Sequence, residues 1–144
     1  MLKWIVAALL LTTPVLAGEN DLERVRIVDC YDGDSCWFDV LDNTPPFRRI
    51  KFRIQGIDTP ERRSPQCSSE HAAAMRARAR LLSLLRSAKT IAIMGVFKSK
   101  YDYAGQVMAD GVDVAAVLLS EGLARPYDGK SARKGWCDTA KVKQ

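Results

Sequence analysis

The sequence predicts an α+β fold: a small, partly open β-barrel with helices packed on it in an OB-like arrangement. Three observations carry that expectation. Apolar and polar residues alternate with a period of two in the first part of the chain. A helical stripe of small and apolar side chains follows the third alternating segment. The periodic segments then come in the order three strands, helix, two strands, helix. No internal repeat or linker interrupts them, so a single domain is expected over 18–144, with its core at about 24–137.

Residues 24–30 set Val25 and Ile27 against Arg24 and Arg26, a half-buried strand. Asp32-Gly33 is a hairpin turn signal, and 37–41 is the return strand. After a loop at 42–46, residues 48–57 alternate again, with Ile50, Phe52 and Ile54 opposite Arg49, Lys51, Arg53 and Gln55. Pro60 and Pro65 make 58–66 a loop.

A helix is expected from about 68 to 88, capped by Ser68 or Ser69, with Glu70 placed favourably in its first turn. Ala74, Ala77, Arg78, Leu81, Leu82 and Leu85 share one of its faces, and Arg76 and Arg80 read as its solvated side. Strands follow at 90–97 and, briefly, at 105–109, closed by Asp110-Gly111. A second helix is capped by Asp113 and stopped by Gly122.

Lys and Arg number 22 against 17 Asp and Glu, a net charge of +5 that suits an anionic partner without identifying one. His71 is the single histidine, which removes zinc proteases of the HExxH type, C2H2 fingers and two-histidine ribonucleases. No GxxxxGK[ST] or GxGxxG stretch is present. Any catalysis is therefore expected to run on carboxylates, arginines and a metal.

The first 17 residues, MLKWIVAALLLTTPVLA, have the basic start, apolar stretch and small-residue end of a secretory signal peptide. That implies a periplasmic or secreted protein with no membrane association after cleavage. Four cysteines, Cys30, Cys36, Cys67 and Cys137, then read as two disulfides. Three pairings satisfy them. The placement of Cys30 and Cys36 about Asp32-Gly33 favours a cross-hairpin bridge, leaving Cys67 and Cys137 for a long one. A zinc site of four thiolates is disfavoured because no CxxC pair exists.

Two loops hold the chemistry. Asp34 in the first and Asp58 in the second offer hard oxygen ligands, with the Thr59 carbonyl as a third. That donor set suits Ca²⁺. Glu61 is then placed to orient or deprotonate a water, and Arg53 to form a bidentate pair with a phosphate. An EF-hand does not fit the first loop, because the position that needs glycine is Asp34 and the one that needs glutamate is Val40.

The segments DGDS (32–35), FRIQGIDTPE (52–61), YAGQ (103–106), DGVDV (110–114) and EGLARPY (121–127) resemble the thermonuclease family, the staphylococcal-nuclease-like domains. The resemblance runs over about 24–137, and the cysteine-bearing elements resemble its exported bacterial branch. It implies a five-stranded OB-fold β-barrel with two to three packed helices, and Ca²⁺-dependent hydrolysis of phosphodiester bonds in DNA and RNA. It would make Asp34, Asp58 and Thr59 metal ligands, Glu61 the water-activating carboxylate and Arg53 the phosphate-holding cation. Beside the resemblance, Tyr101, Tyr103 and Tyr127 are side chains on which bases can stack; Tyr103, Gln106 and Tyr127 are the expected nucleic-acid contacts, and a monomer is expected.

One position departs. The family carries a second arginine where this chain has Gln106. Losing one preorganised donor costs about 10²–10³ in rate, so a weakened nucleic-acid-binding module is the alternative. Lys98, Lys100 and Arg125 are the nearby cations that would compensate.

Overall fold

The structure, a computed structural model, describes residues 20–42, 48–100 and 102–137. The expected signal peptide, most of the 42–46 loop and Tyr101 lie outside the described residues.

The molecule is α+β. β1 (Val25–Cys30) and β2 (Ser35–Val40) form the expected hairpin, and β3 (Arg48–Ile54) pairs antiparallel with β2. β5 (Ile91–Lys98) and β6 (Tyr103–Ala109) form a second hairpin, and β6 joins β3 in parallel. The sheet order is β1-β2-β3-β6-β5, with β7 (Val112–Asp113) on β6. The sheet is mixed and not closed: its end strands β1 and β5 do not pair, although Leu22, just ahead of β1, bridges to Ile93 of β5. A separate two-stranded ladder joins β4 (Ile57–Asp58) to β8 (Arg125–Pro126).

Three elements differ from expectation. The strand expected over 48–57 breaks at Gln55-Gly56, because Gly56 takes φ +85° and turns the chain. The strand after the Tyr103 loop is not short; it begins at Tyr103 and has seven residues. The helix α1 (Ser68–Ser87) is capped by Cys67, whose Sγ accepts from the Glu70 amide, rather than by Ser68 or Ser69, which lie inside its first turn.

The apolar stripe of α1 packs as its spacing requires: Ala74, Ala77, Leu81, Leu82 and Leu85 are buried. Leu81, Leu82 and Leu85 join Phe38, Phe52, Ile54 and Ile93 of the sheet in the core, where Phe38 and Phe52 make an edge-to-face contact at 6.2 Å. Arg78, the one polar member of the stripe, donates to both Asp29 carboxylate oxygens and to the Cys30 carbonyl, fixing α1 over the end of β1. The helix α2 (Val114–Ser120) starts at its Asp113 cap and stops at Gly122, φ +69°. Among the described residues no helix is long and apolar enough to cross a membrane.

Both disulfides form, Cys30–Cys36 across the hairpin and Cys67–Cys137 over a separation of 70 residues. The second ties the last described residue to the cap of α1. A four-thiolate zinc site is thereby excluded.

Candidate active site

The turn between β1 and β2 is clamped at its base. Cys30 and Cys36 are paired in the ladder and bonded covalently, and the Tyr31 amide donates to the Ser35 carbonyl at 2.7 Å. At its tip Gly33 lies so close to α1 that an added Cβ would stand 2.7 Å from the Ala77 Cβ and 2.9 Å from the Thr59 Cγ2. Glycine is used here for close approach, and it seats the next residue, Asp34, inside the protein.

Asp34 is 1 % exposed. Its Oδ1 accepts from Ser35 Oγ at 3.0 Å, and its Oδ2 from the Thr59 amide at 3.1 Å and from Arg53 Nη2 at 3.3 Å. Arg53 reaches it from β3, in register with Ser35 of β2. Two sequence-distant loops and one strand thus meet at a single carboxylate.

The Gln55-Gly56 turn carries the chain into β4, and pairing with β8 presents Asp58 to the C-terminal segment. Asp58 is 4 % exposed. Its Oδ2 accepts from Trp136 Nε1 at 3.0 Å. Its Oδ1 lies 2.5 Å from Arg133 Nε, an ion-pair contact without hydrogen-bond alignment, so this buried oxygen has no hydrogen-bond donor among the described residues. The Thr59 carbonyl accepts from Arg133 Nη2 at 3.2 Å, and the buried Thr59 Oγ1 also lacks a partner there.

Glu61 is half-buried on the loop that follows. The loop is held by Glu70, the buried acid of the first turn of α1, which accepts from the amides of Glu61 at 3.1 Å and Gln66 at 2.6 Å. Sequence reasoning gave Glu70 only a favourable place near the helix dipole; its burial has no local signal. Cys67, Glu70 and Cys137 cluster, but the two sulfurs are bonded to each other and offer no thiolates.

The site is strongly acidic for its depth. Burial, then the neighbouring Asp34 carboxylate, push Asp32 up to about 7. Partial burial works against the charge of Arg133, but the carboxylates of Asp58, Asp34 and Glu61 outweigh it and raise its pKa. All three acids therefore act on one guanidinium.

Of the other expected residues, Tyr127 borders Asp58, while Tyr103 and Gln106 have different surroundings. Tyr103 is exposed on β6 and lines a cavity of about 280 Å³ with Asn20, Arg48 and Phe97. Gln106 donates to Asp113 Oδ2 at 2.8 Å, at the cap of α2. Tyr127 lines an open cleft of about 730 Å³ beside Asp58, together with Arg125, Ser131, Arg133 and Lys134. Arg125 stacks on Trp136 at 3.7 Å and donates to the Gly135 carbonyl. Besides Arg53, the cation that enters the site is Arg133, which sequence reasoning missed; it lies in a polar turn with no periodicity to single it out. No family model and no curated protein matches this chain.

Proposed function

We propose that this chain is an exported, metal-dependent nuclease of the thermonuclease family, built on an OB-like fold and hydrolysing phosphodiester bonds of DNA or RNA as a monomer. One observation carries the reading: Asp34, a buried carboxylate in the β1–β2 turn, accepts from Arg53 and from the amide of Thr59, the residue that follows the buried carboxylate Asp58 at the end of β4.

The residues suit a hard cation such as Ca²⁺. The donors are all oxygen, and Asp58 Oδ1 is a buried anionic atom without a hydrogen-bond donor among the described residues. Asp34, Asp58 and the Thr59 carbonyl would hold the ion. When bound, it supplies positive charge for the phosphate oxygens.

The chain's own groups supply the rest. Arg53 is anchored to Asp34 through one nitrogen, and its guanidinium carries further N–H groups that would hold a phosphate and stabilise charge that develops in the transition state. Glu61 accepts the proton of the attacking water as the new O–P bond forms and the P–O bond to the leaving oxygen breaks in line. The two disulfides fit an oxidising compartment outside the cytoplasm.

The test uses oxidised protein with plasmid DNA and single-stranded RNA in Ca²⁺, in Mg²⁺ and in EDTA. Wild type is expected to cleave in Ca²⁺ and to stop in EDTA. Arg53→Ala is expected to retain Ca²⁺ and lose at least about 10²–10³ in rate. Undiminished cleavage by Arg53→Ala removes the assignment. The engagement of Gln106 with Asp113 favours a second reading, a domain that binds nucleic acid and cuts it poorly. A silent wild type beside an active Gln106→Arg variant would select it.

A further inference from the structure

We infer that Arg133 is an internal counter-cation of the carboxylate site: its guanidinium takes the oxygens a divalent cation would take, and yields them when that ion binds. The inference rests on the metal-dependent reading above and adds to it a residue that competes with the ion.

The geometry is specific. Arg133 Nε stands against Asp58 Oδ1 at 2.5 Å, and Nη2 donates to the Thr59 carbonyl at 3.2 Å. These are two of the oxygens assigned to the metal.

The physical need is clear. A carboxylate 4 % exposed with one oxygen lacking a hydrogen bond is costly to leave without a positive partner. Arg133 supplies one while the metal is absent. It is also releasable, since its side chain is 42 % exposed and it lines the open cleft of about 730 Å³, which has room for the displaced guanidinium.

The backbone around it is held independently of the ion pair. Asp128 accepts from the amides of Lys130 and Ser131 at 2.8 Å each, Arg125 donates to the Gly135 carbonyl, and Cys137 is bonded to Cys67. The strap can therefore stay while the side chain leaves. Arg133 is a positioning residue, acting on substrate only through the carboxylates it balances.

The test is calorimetric titration of the full oxidised protein with CaCl₂, beside thermal unfolding in EDTA. If Arg133 fills the site about nine-tenths of the time, removing it tightens Ca²⁺ binding about tenfold. Arg133→Ala is expected to unfold at a lower temperature in EDTA and yet bind Ca²⁺ about tenfold more tightly. A purely structural residue would not give that opposition of signs. Arg133→Gln keeps a donor for the Thr59 carbonyl without the charge, and it is expected to tighten binding as well. Ca²⁺ constants equal to or weaker than wild type in both folded variants overturn the inference and leave the nuclease reading standing. Absence of Ca²⁺ binding in wild type and variants overturns both.

Discussion

Gly33→Ala probes the contact that seats Asp34. The φ of Gly33 lies outside the left-handed region, so alanine meets no backbone strain there. Reduced freedom of the unfolded chain would by itself stabilise the variant by about 0.4–1 kcal/mol. The new methyl, however, would stand 2.7 Å from the Ala77 Cβ and 2.9 Å from the Thr59 Cγ2. Neither is the end of a flexible side chain; Ala77 is fully buried on α1, and Thr59 is 1 % exposed. Relief requires movement of the turn or the helix, and overpacking of this kind costs about 1–3 kcal/mol. The net expectation is a loss of about 1–2 kcal/mol in urea unfolding, with weaker Ca²⁺ binding because Asp34 moves with the turn. Ala77→Gly supplies the control. Alone it costs about 1 kcal/mol, as glycine does in a helix interior. Combined with Gly33→Ala it removes the nearer obstruction, so the double variant is expected to be about 1 kcal/mol more stable than the sum of the two losses. Additivity within about 0.5 kcal/mol would refute the close-approach argument.

The two disulfides should differ in weight. On the chain-entropy relation, a closure of 70 residues contributes about 4 kcal/mol and one of 6 residues about 2 kcal/mol. Cys67→Ser with Cys137→Ser, which keeps a capping side chain on α1, is thus expected to lower the unfolding free energy more than Cys30→Ser with Cys36→Ser; the reverse order in urea titrations would contradict this. Asp39 gives a pH prediction. Hydrogen bonds first from Arg49 and then from Arg26 hold its carboxyl at about 2, below the unfolded value near 4. Its stabilisation is complete above about pH 4 and disappears as pH falls towards 2. Asp39→Asn should therefore be less stable than wild type at neutral pH, with the gap closing between pH 4 and 2. A gap independent of pH, measured by urea unfolding, would show that the ion pairs are not its source.

The legible part of the fold is the part whose burial pattern repeats. Ile50, Phe52 and Ile54 alternate with charged neighbours because β3 has one face in the core, and the stripe of α1 repeats at helical spacing for the same reason. Asp113 and Gly122 are readable because each solves a local backbone problem, an unpaired amide and a positive φ. The two-residue strands β4, β7 and β8 have no such signal. Their pairing is set by what lies opposite in space, so Asp58 against Arg125 appears in no window of sequence.

The same distinction divides the candidate site. Asp34, Arg53, Asp58 and Thr59 are legible by residue type; the structure joins Arg53 and Thr59 to Asp34, and Asp58 meets Trp136 and Arg133 instead. Neither Glu70 nor Arg133 is legible as a site residue. Glu70 sits where an acid is already favoured by the helix dipole, so its second use, holding the amides of Glu61 and Gln66, adds nothing to the local pattern. Arg133 is one of many basic residues, and its reach to Asp58 depends on a strap anchored by a cysteine 70 residues from its partner. The ligands of a buried charge can be inferred from residue type, since only certain side chains hold a hard cation. The group that pairs with a buried carboxylate is chosen by tertiary closure, and here Arg133 reaches Asp58 on a strap closed by Trp136 and Cys137 at the far end of the described chain.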